Sequence, residues 1–339
     1  MYFFRNDYSE GALPQVMEAL GRTNLCATAG YGMDPYCREA AEKLKVRFAC
    51  PDADVHFLVG GTQTNQTALS AFLRPWEAVI AAETAHIATH ETGAIEAAGH
   101  KVCTVPSPDG KLRPEQIRAV AAAHTDEHMV LPRLVYLSNS TELGTIYSRR
   151  ELQAISQVCR ELGLYLYLDG ARLAQALTCA ESRLRPEDLP DLCDAFYLGG
   201  TKNGLLFGEA LFILRDSLKP GFRHAIKQRG GMLAKGRLLG LQFSTVMDDD
   251  LWLAAGRHAN ELAARLSQGL RDLGYPLLAA SPTNQVFPVL PDALTARLAQ
   301  DFSFEHWGKP DADHTAIRLV TSWATRPEAV DALLSALRP

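Results

Sequence analysis

The sequence predicts an α/β protein, with a mostly parallel sheet in a large domain and a smaller C-terminal α/β domain, and three observations support that reading. Short, almost wholly apolar runs alternate with amphipathic stretches through the middle of the chain. Strands of that kind are buried on both faces, as in a parallel sheet covered by helices. Near Met247 the pattern changes and a long amphipathic stretch follows. The 339 residues, 47% of them apolar, suffice for about two cores. The expected organisation is an N-terminal segment over 1–14 joining the small domain to the functional site, a large domain over 15–247 and a small domain over 248–339.

In chain order, the first dozen residues show no period and remain unassigned. Strands are expected at 54–59, 78–82, 101–105, 134–137, 164–168, 195–198 and 210–214. A helix is expected over 65–73. The clearest helix covers 148–162, where Leu152, Ile155, Val158, Cys159 and Leu162 recur at helical spacing. Ser148 and Glu151 form a capping box at its start, and Gly163 ends it. Beyond Asp250 a long helix carries Leu251, Ala255, His258, Leu262, Leu266 and Leu270 on one face, with Gly274 after it. A strand at 285–290, a helix at 291–299, a strand at 316–321 and a helix at 326–337 complete the chain.

Composition excludes several classes of partner. Net charge is −5 and the basic residues are dispersed, so neither nucleic acid nor an anionic membrane is expected. No run approaches the roughly 20 apolar residues of a membrane helix. The opening MYFFRNDYSEG lacks a signal-peptide pattern. Seven scattered cysteines with no C-x-x-C pair read as buried thiols in a reducing compartment. The expectation is a soluble cytoplasmic protein.

Ligands of open α/β sheets sit beyond the carboxyl ends of the strands, and three motifs fall there. Gly60-Gly61-Thr62 follows a strand and precedes a helix. Free N–H groups at such a start bind phosphate, although alone the motif is also a plain turn. It has neither the dinucleotide fingerprint nor a P-loop, which disfavours a nicotinamide oxidoreductase. Asp169 ends the run LYLYLD. A carboxylate there needs a partner, and a protonated pyridine nitrogen would serve; a structural helix cap is the alternative. Lys202 lies in GGTKNG after AFYL, where a Schiff-base lysine would be placed; a solvated loop lysine is the alternative. Phosphate cradle, strand-end Asp and strand-end Lys in that order point to pyridoxal 5'-phosphate (PLP). His86, His90 and Glu91 could suggest zinc, but the order is not H-E-x-x-H and no third ligand is evident, so no metal is expected.

On these residues the sequence resembles the low-specificity L-threonine aldolase family, among the β-eliminating lyases of the fold-type I PLP enzymes. Its phenylserine aldolase-like branch is suggested by GGTKNG, by NSTELGTIYS at 139–148 and by DDLWL at 249–253. AHxxxxE, DGAR and RLVTSWAT extend the resemblance over nearly the whole chain. It implies that Lys202 holds PLP covalently, that Asp169 pairs with the ring nitrogen, and that Gly61 and Thr62 bind phosphate, with Thr201 beside Lys202 among the cofactor-binding residues. It implies that His86 stacks on the ring and assists proton transfer. Arg172 and Arg318 would grip the amino-acid carboxylate, and a second histidine near the substrate hydroxyl falls on His128. Asn6 stands where relatives often have Ser, and its amide can still donate to a carboxylate. Tyr31, in a motif shared with the family, would lie near a neighbouring subunit's site, and Lys227, Arg229 and Lys235 fall in a region that reaches across the dimer in relatives. The implied activity is retro-aldol cleavage of L-β-hydroxy-α-amino acids to glycine and an aldehyde, by a homodimer or homotetramer with shared sites. Elimination or transamination on the same scaffold, or a non-catalytic homologue, are the alternatives.

Overall fold

The computed structural model describes residues 1–338. A two-residue strand, β1 (Tyr2–Phe3), opens the chain. β2 (Asp54–Leu58), β3 (Glu77–Ala82), β4 (Val102–Val105), β5 (Leu131–Ser138), β6 (Tyr165–Asp169), β7 (Ala195–Gly199) and β8 (Glu209–Ile213) follow. These are the seven strands expected, joined in one sheet of order β2-β8-β7-β6-β5-β3-β4. Every neighbouring pair is parallel except those of β8, which runs antiparallel to both β2 and β7. The 200–208 loop between β7 and β8 is too short for a crossover helix, so β8 must turn back. That tight connection carries Lys202.

Alternation along the strands supplies two cores, one on each face of the sheet. Phe196 and Leu198 of β7 pack with Phe212, Leu168 and Trp252. Ala195 and Tyr197 face the other way, with Tyr136, Tyr167 and Leu211. The helix Arg149–Leu162 covers one face with Leu152, Ile155, Val158 and Cys159 buried, and its capping box and left-handed Gly163 are both present. Leu162 is exposed, so the apolar stripe ends one turn earlier than its spacing suggests.

Helices with no assignment from pattern include Pro114–Ala123, Pro14–Thr23, Pro35–Arg47 and Arg237–Met247. The last two pack together with Gly240 against the Cys37 backbone. After Met247 comes the helix Leu251–Asp272. β9 (Gln285–Val286), β10 (Val289–Pro291), the helix Asp292–Leu298, β11 (Phe302–Ser303), β12 (Glu305–Gly308), β13 (His314–Val320) and the helix Pro327–Ala336 follow. The strand expected over 285–290 is broken at Phe287-Pro288, where proline removes a ladder donor; its halves pair with different parts of β13.

A third core joins Leu262, Leu266 and Leu270 to Ile317, Leu319 and Leu333. Phe4 belongs to it, and β1 pairs in parallel with β11. Trp252 and Leu253, on the same long helix, belong instead to the central-sheet core, so one helix serves both halves. Among the described residues no helix is long and apolar enough to cross a membrane. The carboxyl ends of β5, β6 and β7 (Ser138, Asp169 and Gly199) share one rim of the sheet.

Candidate active site

A cleft of about 840 Å³ opens at that rim, walled by Gly60–Thr62, His86, Glu142, Asp169, Lys202 and, from the C-terminal part, Trp307 and Arg318. One wall is a helix start. The helix expected from residue 65 begins at Gly61 (Gly61–Phe72), so Gly61 and Thr62 are its first two residues. First-turn N–H groups have no intrahelical acceptor, which suits an anion. A Cβ at Gly61 would approach the Tyr197 hydroxyl to 3.1 Å, so the cradle is shaped around glycine.

Asp169 is buried at the end of β6. It accepts hydrogen bonds from Asn65 Nδ2 at 3.0 Å, from the Tyr136 hydroxyl and from the Ala171 N–H at 3.0 Å. Burial would raise its carboxyl pKa. His86 and the hydrogen bonds from Tyr136, Tyr197 and Asn65 outweigh that and hold it below the ordinary value. The group is therefore an anion at neutral pH. Asn65 also donates to Glu91 Oε1 at 2.8 Å and accepts from the Tyr167 hydroxyl at 3.1 Å. The same Glu91 oxygen meets His86 Nδ1 at 2.7 Å. Burial would lower the His86 pKa, but Glu91, Glu142 and Asp169 raise it overall.

Lys202 is half-buried, and among the described residues no carboxylate lies within ion-pair distance of its amine. Burial first, and then the Arg172 charge, depress its pKa, despite opposition from Asp7, Glu142 and Asp169. The result is an amine more readily deprotonated than a surface lysine. Behind it, Thr201 donates to Glu209 Oε1 at 2.9 Å and accepts from the Gly208 N–H at 3.0 Å. Glu209 also accepts from the Gly200 N–H at 3.1 Å, and burial pushes its carboxyl up to about 8. The Thr201 hydroxyl thus braces the lysine loop.

Two guanidinium groups line the cleft in unlike states. Arg172 is buried, with one edge on Asp7 through Nε–Oδ2 at 2.7 Å and Nη2–Oδ1 at 3.0 Å. Asp7 also accepts from Asn284 Nδ2 at 2.9 Å. Arg318 has no carboxylate partner among the described residues. Its Nη1 reaches Gln285 Oε1 at 3.5 Å, its guanidinium lies 5.2 Å from the Trp307 ring centre, and its Nε is buried without a partner. Burial, then Arg172, lowers its pKa. Such an uncompensated cation calls for an anionic ligand.

The rim therefore gathers Gly61, Thr62, His86, Asp169, Arg172, Thr201, Lys202 and Arg318 around one cleft. His128 is not among them. It lies exposed just before β5, at the opposite end of that strand, and its N–H donates to Asp126 Oδ1 at 3.0 Å. Its own chain's cleft is out of its reach. Asn6 does not line the cleft either: its Oδ1 accepts from the Tyr8 N–H and the Ser9 hydroxyl, closing a turn that presents Asp7 and Tyr8. Tyr31 borders a separate 160 Å³ hollow with His56 and Arg223, and Lys227 Nζ lies 4.8 Å from its ring centre. Arg229 and Lys235 are likewise outside the cleft. His90 is exposed and lines the cleft, its ring centre 5.7 Å from that of His86. Asn65, Tyr136, Tyr197 and Asp7 were missed, since each acts through a partner distant in sequence; Glu142 and Glu209 carry no local motif either. Among the described residues no group of three His, Cys, Asp or Glu side chains is arranged to hold a metal ion.

Comparison with known proteins agrees with this arrangement. The family model for beta-eliminating lyases matches residues 4–293. A low-specificity L-threonine aldolase of Pseudomonas aeruginosa is 35% identical, with 99% of this chain and 96% of that protein covered. One from Pseudomonas sp. strain NCIMB 10558 is 37% identical over 84% of this chain and 83% of its own length. The structure of Leishmania major threonine aldolase superposes with a TM-score of 0.98 at 50% identity, covering 99% of this chain and 98% of that one. Thermus thermophilus aspartate aminotransferase shares the fold alone, at 17% identity and a TM-score of 0.72 over 99% of this chain and 90% of its own. The chain belongs to the beta-eliminating lyase family and, within it, to the low-specificity L-threonine aldolases, PLP-dependent lyases of fold type I.

Proposed function

We propose that the protein cleaves L-β-hydroxy-α-amino acids, of the L-threonine, L-allo-threonine and L-phenylserine type, to glycine and an aldehyde. The observation that carries the reading is the pairing of an ionised Asp169 with a Lys202 amine that lacks an ion-pair partner, across one cleft. The donor set fits PLP: Lys202 would hold it, Asp169 would keep the ring nitrogen protonated, and the first-turn N–H groups of Gly61 and Thr62 would take the phosphate. PLP bound there supplies an electron sink for a bond breaking at Cα. His86, held by Glu91, would flank the ring. Arg318, with the edge of Arg172 that Asp7 leaves open, would bind the substrate carboxylate. That grip sets the rotation at Cα, and so selects the bond to Cβ rather than another.

Lys202→Ala should remove both the absorbance of bound cofactor and aldehyde release from L-threonine and L-phenylserine. Aldehyde release left intact would end the assignment. Ammonia with a keto acid, in place of glycine with an aldehyde, would mark an eliminating lyase. We place the enzyme in the cytoplasm, a reading supported by seven free cysteines, six of them buried. We further propose a homodimer or dimer of dimers in which Tyr31, Lys227, Arg229 and Lys235, all outside their own cleft, reach a neighbouring one, as His128 and Asn6 would have to do for any part in substrate contact.

A further inference from the structure

Cleavage of a β-hydroxy amino acid needs a base at the hydroxyl, and the histidine expected there, His128, does not line its own chain's cleft. We propose that the Glu142 carboxylate is that base; the inference rests on the aldolase reading above. Four carboxylate residues line the cleft: Glu142, Asp169, Glu209 and Glu305. Asp169 is fixed by three hydrogen-bond donors. Glu209 grips Thr201 and the Gly200 N–H, and burial raises its pKa to about 8. Glu305 pairs with Arg5 at 2.5 Å. Glu142 alone has neither an ion pair nor a side-chain hydrogen bond among the described residues, although it is only 9% exposed. Its oxygens are not among the buried atoms that lack a partner, so they open on the cleft, free to take a ligand proton.

The fold holds Glu142 firmly in place. It lies just beyond β5, in a turn closed by Thr141 N–H to Thr145 O and Gly144 N–H to Thr141 O, both at 2.9 Å. Gln285 and Thr283, from the C-terminal part, donate to the carbonyls of Thr141 and Gly144 at 3.3 and 2.9 Å. The charge of Glu142 acts on His86, Lys202, Arg172 and Arg318 together, which places it among the groups assigned to ring and carboxylate. His86 is the poorer base. Its Nδ1 is committed to Glu91, and its raised pKa favours the protonated ring.

In the step, the substrate O–H bond breaks and its proton passes to Glu142. The electron pair left on oxygen becomes the second C–O bond of the aldehyde as the Cα–Cβ bond breaks. The Cα–Cβ pair stays on Cα, which takes a proton to become glycine, and Glu142 returns its proton to solvent as the aldehyde leaves.

The test is Glu142→Gln, which keeps the shape and removes the base. In the holoenzyme, kcat for L-threonine cleavage should fall by about 10²–10⁴-fold. Cofactor absorbance, glycine affinity by spectral titration and exchange of the glycine α-proton with solvent should change far less than kcat, because none involves a β-hydroxyl. Glu142→Asp should restore part of the rate. Unchanged aldehyde release in Glu142→Gln would overturn the proposal. So would equal loss of glycine exchange, which would mean a disturbed site. A wild-type holoenzyme that exchanges glycine but releases no aldehyde would instead fail the aldolase reading, and this assignment with it.

Discussion

Arg172 and Asp7 are 165 residues apart in sequence, yet they form a bidentate pair with side chains 5% and 0% exposed. Removing one partner strands the other charge. Asp7→Ala should therefore cost about 3–5 kcal/mol of stability, read from urea unfolding, and should raise KM for the amino acid by releasing Arg172; a shift within error would mean that water replaces Asp7. His86 gives a pH signature. Its folded pKa lies above 6.5, so the stability it adds is fully present below the unfolded value of about 6.5 and is lost as pH rises through the folded one. Glu91→Gln should flatten the decline in urea midpoint above pH 6.5 relative to the wild type. Parallel curves would show that Glu91 does not set the proton. At this scale, legibility followed locality. Lys202, Asp169 and Gly61 stood out because strand ends and glycines mark them within a few residues. Asp7, Asn65 and Glu142 carry no such mark, since contacts between remote segments make them significant.

Elements show the same division. All seven central strands were legible because strands buried on both faces are apolar throughout, and Ser148 with Glu151 marked the start of the helix Arg149–Leu162. Ser148→Ala should cost about 1 kcal/mol, measured as a lower urea midpoint with kcat unchanged. β11 and β12 were not legible: they are short, β11 pairs with the N-terminal strand, and the burial pattern of β12 is mixed. The helix Leu251–Asp272 was found, but not its role of bracing the Arg172 segment. Gly256 packs against Leu173–Thr178, the helix that follows Arg172, and a Cβ there would come 2.7 Å from the Ala174 carbonyl carbon. Gly256→Ala must push the helices apart, at a cost of roughly 1–3 kcal/mol. Because Arg172 is the N-cap of the displaced helix, KM should rise while cofactor absorbance persists. An unchanged KM would separate that packing from substrate binding.

The whole molecule is organised by charge as much as by core. Within one chain, the cations at the cleft are Lys202, Arg172, Arg318 and the imidazoles, and the proposed roles commit them to ring and carboxylate. A phosphate at Gly61 and Thr62 then has the Thr62 hydroxyl and backbone N–H groups but no cation, the helix start being worth about half a unit charge, against nearly two negative charges. Lys227 and Arg229 lie on and just after the helix Phe222–Gln228, and Arg229 Nε is buried without a partner. If a second chain docks about a two-fold axis, each chain presents the same patch to the other's cleft. Lys202→Ala and the double variant Lys227→Ala/Arg229→Ala should then each be inactive alone for different reasons. Mixed, unfolded and refolded together, they should form hybrids with one cleft that has both the lysine and the neighbour's cations, and should regain about a quarter of wild-type activity, since half the dimers are hybrid and each has one complete site of two. A mixture as inactive as its parents would show that each chain supplies its own phosphate charge.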